Sequence, residues 1–191
     1  MNTVDALTFV KHFADRAHGA QVRKYTGERY IVHPARVMET VREYNPDVRV
    51  LAAALLHDVL EDTPVNAHQI ESALLEVMDA SDASWVVERV IELTDIFIKK
   101  DFPRVNRRTR KQREVVRLSS ISAEAQTIKY SDIIDNVTDI MKQDTDFARV
   151  FVHEAKAMLN AMTAGDARLR DRAVSVVDGA LRKLPKSATT A

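Results

Sequence analysis

The stretch "LAAALLHDVLEDT", Leu51 to Thr63, begins as an unbroken apolar run and then places four ionisable side chains, His57, Asp58, Glu61 and Asp62, almost side by side. Imidazole nitrogen and carboxylate oxygen are the donors a divalent cation takes when no thiolate is offered, and they are also the groups that move protons. Adjacent residues on a helix point about 100° apart, so His57 and Asp58 share one ion only where a helix ends or turns its groove toward it. Residues four apart share a face, which sets Glu61 one turn beyond His57 and Asp62 one turn beyond Asp58. Three carboxylates this close repel one another unless protons or a cation neutralise them, and a divalent metal does so most simply. A single His-Asp dipeptide also fits a solvated helix end with capping acids. The apolar approach favours a pocket instead, because a helix buried up to the point where the acids begin delivers them to a cavity. His33 in "YIVHP" and Asp132 in "IKYSDIIDN" are the further residues of matching chemistry.

The elements that must position these groups are helices. Four glycines and five prolines leave little turn material, and strict apolar and polar alternation is almost absent, so the class is all-α. A first helix is expected from about Val4 to His18, stopped by Gly19. "QVRKYTGERYIVHP" reads as a loop, with Pro34 biasing His33 away from helical geometry and a second helix, bearing Val37, Met38 and Val41, starting just after it. Asn45 and Pro46 are the expected cap and first turn of a third helix that carries the acidic stretch to Thr63. Asn66 caps a fourth through Ile70, Leu74 and Val77; a fifth spans about Ala83 to Ile98 with Trp85, Val86, Val90 and Leu93 inward. The basic "KKDFPRVNRRTRKQR" reads as a loop leading into a helix with Val115, Val116 and Leu118, and Ser122 opens the helix that holds Asp132. Two more, about Asp144 to Met162 and Asp166 to Leu184, complete the chain. A seam near Asp144 divides residues 1–143 from a helical extension, 144–191, whose tail frays from about 185.

Composition narrows the functions. With 28 basic and 28 acidic residues in 191, no global field recruits nucleic acid or an anionic membrane. The absence of cysteine removes disulfides and thiolate metal sites and fits a reducing compartment. No run approaches the ~18 apolar residues of a membrane span, and the N-terminus lacks a signal-peptide pattern, so a cytoplasmic protein is expected. His12, His68 and His153 read as surface residues, and Phe9, Phe13 and Phe97 as core.

The ordered set "FADRAHGAQVRKYTGERYIVHP", "LAAALLHDVLEDT", "VIELTD", "RTRKQRE" and "IKYSDIIDN", from about Phe9 to Asn136, resembles the HD-domain metal phosphohydrolases, and within them the hydrolase domain of the RelA/SpoT family. That resemblance implies an HD-type helical bundle, removal of the 3′-diphosphate from ppGpp or pppGpp, and no synthetase domain. It implies His33, His57, Asp58 and Asp132 as ligands of Mn²⁺ or a similar divalent ion. Glu61 and Asp62 match the family's paired acids, which orient and deprotonate the attacking water. Arg23, Lys24 and Asn136 match its substrate contacts. Within the basic segment Lys99, Arg110 and Lys111 are the candidates to hold a diphosphate, and most other charges there are expected to be solvated. His18 is expected to order the loop or pocket wall, and Lys129 to be structural. The implied partner is a small nucleotide, with no nucleic acid and no membrane; a homo-oligomer is compatible with it.

The pattern departs from the family at two places. Arg29 stands where "PYIxHP" has proline, and "SDIIDN" replaces "ADRLHN", putting Ile133 and Asp135 where the family has arginine and histidine. Losing a positive group and gaining a negative one bears on substrate placement. It keeps two alternatives open, another phosphorylated nucleotide such as NADPH and a regulatory module that binds metal or nucleotide without turnover.

Overall fold

A computed structural model describes residues 3–24, 26–143 and 145–185. It contains ten helices among these residues: α1 (Thr3–His18), α2 (Val32–Arg42), α3 (Val48–Leu56), α4 (Val59–Asp62), α5 (Ala67–Leu74), α6 (Ala80–Leu93), α7 (Arg107–Leu118), α8 (Ala123–Gln143), α9 (Thr145–Ala161) and α10 (Ala167–Lys183). The expected all-α class is met. The extended pairing among the described residues is a lone bridge between Val22 and Arg29 that closes the loop after α1.

α3 is the axis of the bundle. Every residue from Val50 to Leu56 is buried, and the helix packs against α1, α2, α6 and α8. Burial on all sides is what an apolar helix without a polar stripe requires. α8 lies beside it and carries Asp132 on a face turned to the core, while α9 and α10 form a hairpin over the other side of α8. Val152, Leu159, Met162, Leu169 and Val177 of that hairpin belong to the same buried cluster as α3. The Tyr130 hydroxyl donates to the Met162 carbonyl at 3.0 Å, tying hairpin to α8. The expected seam at Asp144 and the tail beyond Pro185 lie outside the described residues.

Several boundaries differ from expectation for local reasons. α2 starts at Val32, so His33 sits inside its first turn; Pro34 is tolerated there because the opening N–H groups of a helix have no partner to lose. Asp47, rather than Asn45, caps α3 by accepting from the Arg49 N–H, and Asn45 accepts from the Asp47 N–H at 3.0 Å. Asn66 caps α5 in a reciprocal box with Gln69, leaving Val77 beyond the helix. α6 starts at Ala80, capped by Asp79, and ends at Leu93. Trp85 is only partly buried, between the guanidinium groups of Arg49 and Arg89. Residues 107–113 are helical, because Asn106 caps α7 through the Thr109 N–H. No described helix is long and apolar enough to cross a membrane.

Candidate metal centre and active site

The expected third helix breaks at the residues that matter. α3 stops at Leu56 and α4 starts at Val59, leaving His57 and Asp58 in a turn with Asp58 at φ −97°, ψ −6°. His57 Nδ1 lies 2.8 Å from the Ala54 carbonyl, the acceptor a continuing helix would offer to the Asp58 N–H. The Tyr30 hydroxyl donates to Asp58 Oδ2 at 2.8 Å and holds it in the new direction. The break turns both side chains toward one point.

His33 from α2 and Asp132 from α8 meet them there. His33 Nε2 is 3.5 Å from Asp58 Oδ2 and 3.2 Å from Asp132 Oδ1; His57 Nε2 is 3.1 Å and 3.8 Å from the same two oxygens. Donor atoms of His33, His57 and Asp58 all lie within 4.8 Å of one another, a group that could hold a metal ion. His57 Nε2 is buried and points into the cluster, while its Nδ1 faces a carbonyl; Nε2 is therefore the nitrogen that offers a lone pair to an ion once it gives up its proton. The donor set is therefore fit for a divalent cation.

Charge supports the same reading. Burial opposes a charged His57, but the Asp58 and Asp132 carboxylates overcome it and push the imidazole up to about 10. His33 is raised too, against burial, by Asp132, Asp135 and Asp58. Both ligand carboxylates end below their ordinary range despite burial: Asp58 through His57 and His33, Asp132 through Lys129 and the same imidazoles. Lys129, 2.8 Å from Asp132 Oδ2, is held above its ordinary value. The carboxylates of Asp58, Asp132, Asp135 and Asp139 face the Lys129 ammonium and the Arg23 guanidinium, which leaves two negative charges. Two imidazolium protons or one divalent cation cancel them equally.

The candidate acids sit at the edge of this cluster. Glu61 is exposed; its Oε2 accepts from the Asp95 N–H at 3.0 Å, and desolvation by the groups around it, followed by the Asp95 carboxylate, pushes Glu61 up to about 7, with Lys129 opposing. Asp62 accepts from the Gln21 amide at 3.4 Å. Gln21 in turn lies 2.9 Å from Nδ1 of His18, whose ring stacks on Tyr30, so His18 does order the pocket wall.

Substrate candidates are more scattered. Asn136 bridges Asp132 Oδ1 at 2.6 Å and the Arg23 guanidinium at 3.0 Å. Arg23 also pairs with Asp139 at 3.0 Å and lies 3.6 Å from Asp135, so its charge is turned toward α8. Lys24 lies over the Phe147 ring. Lys111 reaches Asp95 Oδ2 at 2.5 Å, which joins α7 to the Glu61 edge of the site. Arg110 instead donates to the Val105 carbonyl and closes the loop before α7, while Lys99 is exposed in the turn 99–101. His12, His68 and His153 are exposed, as expected.

Three residues have roles the sequence did not assign: Lys129 is expected there as structural, Asp135 as a departure bearing on substrate placement, and Glu114 is not singled out. Lys129 faces the metal cluster, as its place three residues before Asp132 could have indicated. Asp135, three residues after Asp132, lies 2.6 Å from His33 Nδ1. Buried Glu114 accepts from the Ile96 and Phe97 N–H groups, both at 2.7 Å, and fixes the loop that presents Asp95; no motif marked it. Ile133 is buried in the core, so its replacement of the family's arginine alters packing at that position.

The HD domain family model matches residues 11–117, more than half of the chain, a span that holds His33, His57 and Asp58 and ends before Asp132. The chain belongs to the HD domain family. It is 33% identical over 125 residues to guanosine-3′,5′-bis(diphosphate) 3′-pyrophosphohydrolase of Aquifex aeolicus, covering 65% of this chain and 16% of that protein. It is 39% identical over 75 residues to the probable enzyme of the same name from Synechocystis, covering 39% and 9%. The chain thus spans less than a fifth of these relatives. In fold it is similar to a metazoan ortholog of SpoT, described as hydrolysing ppGpp, with TM-score 0.76, 24% identity, and coverage of 94% of this chain and 97% of that one.

Proposed function

We propose that this chain is a Mn²⁺-dependent phosphohydrolase that removes the 3′-diphosphate of ppGpp and pppGpp, giving GDP or GTP and pyrophosphate. The observation that carries the reading is the convergence of His33, His57, Asp58 and Asp132 beside Glu61 in a chain whose curated relatives are named for that reaction. His33 and His57 through Nε2, with Asp58 and Asp132 through carboxylate oxygen, would hold the ion. When bound, a divalent metal lowers the pKa of water and polarises a phosphoryl oxygen. Glu61 and Asp62 orient the attacking water, and Glu61, raised toward neutrality, accepts its proton. Water adds to the phosphorus attached to the 3′ oxygen, that P–O bond breaks, and the departing oxygen takes up a proton. Lys111 and Lys24, with Lys99 and Arg110 at the rim, meet the phosphates, and Asn136 and Arg23 orient the nucleotide. Residues 1–143 form the catalytic part, and in the extension 144–191 the helices α9 and α10 brace α8 behind it.

The test is purified protein with Mn²⁺ against ppGpp, pppGpp and NADPH, with products resolved by chromatography and Asp58→Ala and Glu61→Ala as controls. Release of pyrophosphate from ppGpp that both variants abolish is expected. Asp135 beside Arg23 favours a second reading, hydrolysis of another phosphorylated nucleotide, and intact ppGpp with NADPH losing phosphate would replace the first reading by it. Bound metal with no turnover of any nucleotide would leave a regulator.

A further inference from the structure

Asp135 is the one residue of the site where this chain departs from the RelA/SpoT pattern and also touches a candidate ligand. Its Oδ2 lies 2.6 Å from His33 Nδ1, and its side chain is 15% exposed, too enclosed for a solvated surface acid. A carboxylate can only accept, so Nδ1 keeps a proton held by Asp135, and it is Nε2, facing Asp58 and Asp132, that offers its lone pair once its own proton gives way to a metal ion. His57 reaches the same tautomer differently, through the Ala54 carbonyl on its own helix. His33 belongs to α2 and has no such carbonyl; its ring is fixed from α8, 102 residues away in sequence. The added negative charge does not stand alone, because the Arg23 guanidinium, anchored by Asp139 at 3.0 Å, lies 3.6 Å from the same Asp135 oxygen.

We propose that Asp135 is a positioning residue for metal capture: its carboxylate fixes the tautomer and ring angle of His33, and Arg23 compensates its charge. The proposal rests on the reading of His33 as a ligand and is independent of which nucleotide is cleaved. Partners of this kind typically change metal affinity by about 10- to 100-fold when removed. Because the contact spans α2 and α8, it also sets the spacing of the two helices that bring His33 to Asp132.

The test titrates Mn²⁺ into metal-stripped full-length protein by calorimetry, with ¹⁵N NMR of the His33 ring as a second readout. Asp135→Ala is expected to weaken binding by about 10- to 100-fold and, at a pH where the metal-free His33 ring is neutral, to let both of its tautomers appear. Asp135→Asn, which keeps the shape and one acceptor oxygen, is expected to restore part of the loss and supplies the answer if the alanine variant fails to fold. Asp139→Asn, which frees Arg23 without touching His33, is expected to bind Mn²⁺ within about twofold of the parent. Unchanged affinity in Asp135→Ala, or equal losses in Asp135→Ala and Asp139→Asn, would overturn the proposal. Weakened Mn²⁺ binding in Asp135→Ala together with no ppGpp hydrolysis by the parent would sustain it while removing the proposed substrate.

Discussion

Metal loading should expel protons, and the structure sets how many. The metal-free cluster balances its two excess negative charges with protons on His57, pushed up to about 10, and on His33, raised above its ordinary value. A divalent cation needs both imidazoles neutral at Nε2, so each ion bound displaces up to two protons. The carboxylates stay ionised throughout, because both ligand aspartates are held below their ordinary range. Affinity therefore rises with pH: two protons per ion correspond to about 100-fold per pH unit while both imidazoles are charged, and one proton to about 10-fold per unit once His33 is neutral, a slope that continues to about pH 10, where His57 loses its own proton. Calorimetry of Mn²⁺ binding in buffers of different ionisation enthalpy counts the protons from the slope of observed enthalpy, and Kd measured across pH gives the same number independently. His57→Ala should lower the count by one. A proton count of zero at pH 6.5, with tight binding at every pH, would show that the ion does not enter among His33 and His57, and the charge argument for the site would be wrong.

Four further outcomes follow from named contacts. Glu61→Gln should lower kcat on ppGpp by about 10²- to 10⁴-fold with little change in KM, since it removes the proton acceptor and keeps the shape; a wild-type kcat would assign the base elsewhere. Asp95→Asn should move the acid limb of the kcat/KM profile to lower pH, because its carboxylate helps raise Glu61 and removing it lowers the Glu61 pKa; a shift to higher pH would refute that role. Lys111→Ala should raise KM for ppGpp more than it lowers kcat, by steady-state kinetics, because Lys111 stands at the rim beside Asp95 and touches no metal ligand. Gly165→Ala should destabilise the whole chain by roughly 2–4 kcal/mol in denaturant unfolding. Its added Cβ would lie 2.6 Å from Tyr130 Cε2 and 2.8 Å from the Thr127 N, and the Asp166 N–H bond to the Thr127 hydroxyl would be strained. A single transition is expected because α9 and α10 share the core of α3 and α8.

Which parts of this arrangement could be read from the chain follows from the range of the forces involved. Helical periodicity is a property of one segment, so the buried α3, the face of α8 and the place of Asn136 one turn after Asp132 were all visible as spacing. Capping and breaks were less so, because they depend on which side chain wins a particular carbonyl or N–H. Nothing in "LLHDVLED" says that the His57 imidazole takes the Ala54 carbonyl, yet that bond accompanies the break at which two neighbouring side chains turn to one ion. Contacts between segments were least legible. Asp135 and Glu114 act on groups 102 and 17 to 18 residues away; in sequence Glu114 looks like one more acid on a charged helix, and Asp135 like a negative charge added beside the substrate. Enclosure, full for Glu114 and partial for Asp135, separates them from solvated acids, since a carboxylate withdrawn from water is retained only where a donor or cation meets it. Asp135 meets both, and so the substitution that looked like a loss of positive charge beside the nucleotide is, in the folded chain, an acceptor for a ligand histidine with its own arginine in attendance.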